Sequence, residues 1–135
     1  MRALLLHLWL LLSFRHPGSG LPRTWPPVFA LIVLAALFAA LRWEVLHDPY
    51  TFPRAVELSS IAFALFFWLV LIAMISTRFA SGYALVSIGA DCATMALALI
   101  GLFGPGVRMA ILFVEIVALA RLATVLLRRA GSRGH

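Results

Sequence analysis

Four long apolar runs, separated by short polar or Pro/Gly-rich breaks, dominate the chain. They cover residues 26–46, 55–76, 83–103 and 107–127. Each has about the twenty residues that an α-helix needs to cross a bilayer. A helix satisfies all its backbone hydrogen bonds internally, which hydrocarbon demands. The breaks fit helix ends. Pro26 and Pro27 suit a first helical turn, where a missing N–H costs nothing. His47-Asp48-Pro49-Tyr50-Thr51-Phe52-Pro53 reads as a turn-rich connection, Arg78 with Ser81-Gly82 as a second loop, and Gly104-Pro105-Gly106 as a tight hairpin break. The pattern predicts an all-α integral membrane protein, a bundle of four antiparallel transmembrane helices over residues 26–127.

Residues 1–25 read differently. The apolar core Ala3–Leu12 is too short to span. It predicts a short interfacial helix anchored by Trp9 and Arg15, followed by a Pro/Gly loop. A positive start before a short apolar core also resembles a secretory signal peptide. Against that, His7 interrupts the core and no small-x-small cleavage site follows at Ser13-Phe14-Arg15-His16, Gly18-Ser19-Gly20 being a late candidate. Residues 128–135 form a basic tail with no packing signal.

The third run has a finer pattern. Ala84, Ser87, Asp91, Thr94, Ala98 and Gly101 recur three and four residues apart, so a helix places them on one stripe. Every member is small, polar or charged, whereas the other faces are mostly large and apolar. A carboxylate at a helix centre costs roughly 2.5–3.5 kcal/mol on insertion scales, so the stripe should face other helices.

Composition sharpens the class. Of 135 residues, 64% are hydrophobic and 12% charged, against about 25% charged in soluble domains. The net charge of +6 comes from arginine, with no lysine at all. The arginines flank apolar runs, which points to the lipid bilayer and its anionic head groups and not to nucleic acid. Eight of them (Arg2, Arg15, Arg23, Arg78, Arg121, Arg128, Arg129, Arg133) fall on one side of the expected topology, and three (Arg42, Arg54, Arg108) on the other. The positive-inside rule then places both termini in the cytoplasm. The Arg, Ala, Leu and Gly bias suggests a bacterial inner membrane. The single Cys92 permits no intrachain disulfide.

The candidate chemistry lies in the last two runs. Folding them back at Gly104-Pro105-Gly106 puts Glu115 level with Met95 and Asp91 level with Leu119. The two carboxylates then differ by roughly 6 Å in depth, from the 1.5 Å helical rise. Arg121 could reach Asp91, and Arg108 shares a face with Glu115. Ionisable groups in a span are functional candidates by default, so Asp91, Glu115, Arg121, Arg108, Ser87 and Thr94 form the candidate polar site. The plainer reading makes Asp91–Arg121 and Glu115–Arg108 structural clamps between helices.

Glu44, His47 and Asp48 share a helix face, with Glu57 across the turn. Carboxylate-bridged metal bundles use Glu-x-x-His twice, and here it occurs once, so no metal site is expected. The crowded aromatics Phe63, Phe66, Phe67 and Trp68 call for no cofactor, and no histidine lies mid-span to ligate haem. There is no phosphate loop, nucleophile elbow or zinc-protease motif, so an enzyme is not expected. The leading expectation is a non-enzymatic accessory or assembly subunit that grips another membrane protein or itself. The alternative is a small proton-coupled transporter or channel in which Asp91 and Glu115 titrate.

Overall fold

A computed structural model describes residue 6, residues 21–46 and residues 54–131. Its elements are α1 (Trp25–Leu46), α2 (Arg54–Ile75), α3 (Thr77–Leu99) and α4 (Pro105–Gly131), with no strand among the described residues. Leu6 apart, the interfacial segment, the 47–53 connection and the last four residues lie outside the described residues. Helices α1, α3 and α4 are long and apolar enough to cross a membrane, while the described apolar part of α2, Ser59–Ile75, is shorter.

Two breaks differ from the sequence expectation. Arg78, Ser81 and Gly82 are not a loop but the opening turns of α3. The chain breaks at one residue, Ser76, whose backbone is extended (φ −154°, ψ 104°). Its hydroxyl oxygen accepts from the Phe79 N–H at 3.3 Å, which satisfies one of the orphan donors of a helix start. Ser81 and Gly82 look like loop residues, yet their small size serves packing. The Ser81 hydroxyl is buried, 2.7 Å from the Thr77 carbonyl and 3.3 Å from the Pro22 carbonyl. A Cβ at Gly82 would collide with the Leu122 side chain and touch Leu21.

The second break comes earlier than expected. α3 ends at Leu99, and the reversal uses residues 100–104. Gly101 takes φ +73°. The Leu102 N–H donates to the Leu97 carbonyl at 2.9 Å and the Gly101 N–H to the Ala98 carbonyl at 3.0 Å. This is a Schellman ending, which needs a residue that tolerates the left-handed region. Gly104-Pro105-Gly106 then starts α4 instead of breaking the chain. Pro105 opens the helix, and the Arg108 N–H donates to the Gly104 carbonyl at 3.0 Å. At its far end α4 continues through Arg128 and Arg129 to Gly131, so the start of the expected tail is helical.

The helices are unequal partners. α3 packs against all three others, and α1 makes its broadest contact with it. α4 touches α3 alone at backbone range. α1 buries Val28, Ile32, Ala35 and Ala39, spaced three and four apart on one face. α3 answers with Ala80, Ala84, Ser87 and Asp91, so the seam between these helices is built largely of small side chains. Small residues bring helix backbones close and raise dispersion contact, which drives association where no water is expelled. The aromatics of α2 divide. Phe66 packs edge-on against Phe29, with centroids 5.7 Å apart. Phe63 and Phe67 stack on each other at 6.3 Å and, like Trp68, are exposed.

Candidate functional site

The seam of α3 faces inward as its pattern requires. Ala84, Ser87, Asp91 and Thr94 are all buried, Asp91 to 1% exposure. Toward the turn the stripe emerges, with Ala98 half-buried and Gly101 exposed.

Asp91 is paired, but not with Arg121. Its Oδ1 lies 2.8 Å from Nη1 of Arg42. Arg42 extends the buried face of α1: from Val28, Ile32, Ala35 and Ala39 the next helical step of three is residue 42. Its side chain is 37% exposed and that of Asp91 2%. The pair therefore joins a buried anion to a half-open cation. Asp91 Oδ2 has no hydrogen-bond partner among the described residues.

Arg121 is exposed on α4 and forms no ion pair among the described residues. Two shifts explain this. The reversal centred on residues 100–104 pairs Gly82 with Leu122, so Glu115 falls beside Gly89 and Ala90, several residues from the expected register. That register turns Ala118 and Leu122 toward α3 and leaves Arg121 exposed on the flank of their face. The expected Glu115–Arg108 clamp is likewise not an ion pair among the described residues. The two are seven residues apart, about 10 Å along the helix axis.

Arg108 and Glu115 do share a cavity. About 420 Å³ in volume, it lies between the C-terminal end of α1, the last turns of α3 and the first turns of α4. Arg42, Thr94, Arg108 and Glu115 supply its polar wall, while Trp43 and Phe103 are among the apolar groups. Glu115 is near enough to sense the charges of both Asp91 and Arg42. Asp91, Arg42 and Glu115 thus form one electrostatic unit, and Arg108 joins Arg42 and Glu115 on the cavity wall. A second cavity of about 410 Å³ lies on the far side of Ile111 and Glu115. Its lining is otherwise apolar, with Gly89, Ala90, Ala93 and Ala110 among its small residues.

Of the six expected site residues, five sit together at or around this unit: Asp91, Glu115, Arg108, Thr94 and, one turn along the seam, Ser87. Arg121 does not. Arg42 has no counterpart among the expected site residues: α1 is apolar on every face, so the buried stripe that ends at Arg42 shows only in the packing. Of the Glu44, His47 and Asp48 face, only Glu44 is described, and no three metal-ligating side chains gather among the described residues.

No family model, curated protein or solved structure matches this chain.

Proposed function

We propose that this chain is a small multi-pass protein of a bacterial inner membrane that acts without catalysis, as an accessory or assembly subunit holding another membrane protein or a second copy of itself. The observation that carries this reading is α4. It touches α3 alone, and Met109, Phe113 and Ile116 are each more than 60% exposed. Lipid alone could cover such a surface, but hydrocarbon tails offer Arg121 no hydrogen-bond partner. That residue is exposed two turns before Arg128, roughly 10 Å inward along the axis. Its Cα–Cβ bond tilts toward the helix N-terminus, away from the nearer membrane surface. A charge so placed calls for a polar or acidic partner.

The helices would run alternately up and down, with both termini in the cytoplasm. Ser81 near Pro22 and Gly82 against Leu122 support this order. Extraction in mild detergent followed by affinity purification tests the subunit reading. A stoichiometric second protein or a homo-oligomer is expected, and Arg121→Gln should release it while the bundle stays folded. A monomer that purifies alone, with Arg121→Gln changing nothing, sinks the idea.

A second reading keeps specific support. The polar cavity beside Asp91 and Glu115 suits a small proton-coupled transporter or channel. In that case Asp91→Asn leaves a folded protein that no longer moves protons in reconstituted vesicles.

A further inference from the structure

The 420 Å³ cavity is within the roughly 300–1,000 Å³ range of small-molecule sites. Its charges are ordered along its depth. Leu46, Phe103 and Arg108 belong to the end of the molecule where α1 stops and the α3–α4 turn sits. Glu115 and Thr94 lie deeper, Glu115 two turns beyond Arg108. Arg42 uses Nη1 on Asp91. A guanidinium has five N–H donors in a rigid fork, so others remain for the cavity that Arg42 also lines. Thr94 is 95% buried, has no side-chain hydrogen bond among the described residues, and faces the same space.

We propose that this cavity is a water-filled vestibule that binds a small zwitterion, its ammonium on Glu115 and its carboxylate or phosphate on Arg42, Thr94 and Arg108. The wall fits neither charge alone. A lone anion meets the Glu115 carboxylate, and a lone cation meets two guanidinium groups. A molecule carrying both charges matches both sets. The order of charges also separates a free solute from a phospholipid. An aminophospholipid of the adjacent leaflet carries its ammonium outermost, whereas here the free acid lies innermost and a cation guards the mouth. The occupant is therefore a soluble zwitterion that enters ammonium first. This site is independent of the α4 partner surface, since it uses the inner faces of α1, α3 and α4.

The protein supplies its own control for the test. Cys92 is exposed on the opposite side of α3 from the vestibule. In intact protein with Cys92→Ser, Leu112→Cys places a thiol on the cavity wall at a residue that takes no part in holding the zwitterion. Spheroplasts and inverted vesicles are treated with a charged, membrane-impermeant maleimide, then again with glycine, phosphoethanolamine, inorganic phosphate or ethanolamine present. Leu112→Cys should label from one membrane side, while wild-type Cys92 labels from neither. Glycine or phosphoethanolamine at ten times its Kd should slow that labelling about tenfold by mass action. Phosphate or ethanolamine alone should not, and Glu115→Gln should abolish the protection. A Leu112→Cys that labels from neither side overturns the vestibule. Labelling that no zwitterion slows, or that phosphate alone slows equally, overturns the ligand assignment. Quenching of Trp43 fluorescence by the same zwitterions, lost in Trp43→Phe, gives a readout that needs no new cysteine.

Discussion

α3 and α4 are neighbours joined by a five-residue turn, and both are long enough to cross a membrane, yet they behave oppositely. The apolar stretch of α4 is the more apolar of the two. In water it would be the core and α3 the rim. Here 56% of the apolar stretch of α3 is buried, against 11% of that of α4. Hydrocarbon is as apolar as leucine, so leucine gains little by leaving lipid for protein. What gains is a small residue that permits close approach, or a polar one that must be shielded. Ala80, Ser81, Gly82, Ala84, Ser87 and Asp91 make α3 the hub. Met109, Phe113 and Ile116 leave α4 at the edge.

The most severe way to break that contrast is to unpair the hub. Arg42→Leu leaves the Asp91 carboxylate buried without its cation, and loss of one partner of a buried pair costs about 3–5 kcal/mol. Unfolding in mixed detergent micelles should show that loss, and Arg42→Leu with Asp91→Leu should recover most of it. A loss near the roughly 0.6 kcal/mol average of membrane polar contacts would mean that the small-residue seam holds α1 on α3 unaided.

Gly82→Leu attacks the other side of the hub. The new side chain meets Leu122 and Leu21, and overpacking of this kind costs about 1–3 kcal/mol. α4 should separate from α3 while α1–α3 stays packed, and cysteine cross-links between the helices can tell the two apart. Leu122→Ala should partly restore the contact.

Gly101→Ala tests the hinge between the two helices. No atom is near a Cβ there, so the penalty is left-handed backbone alone, about 1 kcal/mol. The smallest effect belongs to the edge. Phe113→Ala should change bundle stability by less than about 0.5 kcal/mol. It should nonetheless weaken co-purification of a partner if α4 carries one.

Much of this contrast was legible in residue order. The stripe through Ala84, Ser87, Asp91 and Thr94 is a helical spacing, and a buried carboxylate must face inward whatever surrounds it. Other parts were ambiguous by nature. Ser81 and Gly82 are equally common in loops and in tight helix contacts, so their types could not tell one from the other. Gly101 fitted the small-residue stripe and also a Schellman ending, while Gly104-Pro105-Gly106 fitted both a break and a helix start. Choosing the later turn displaced α4 by several residues, and with it every expected pairing across α3 and α4.

Residue order by itself determined four apolar runs, a polar seam on the third, and a carboxylate and two arginines on the fourth. Those follow from period and composition, which are local properties. Tertiary structure decided that Asp91 takes Arg42 and not Arg121, and that Arg108 and Glu115 face a common cavity without touching. An ion pair depends on the rotation and register of two helices together, and these were fixed here by the extended Ser76, the left-handed Gly101 and the fit of Leu122 over Gly82.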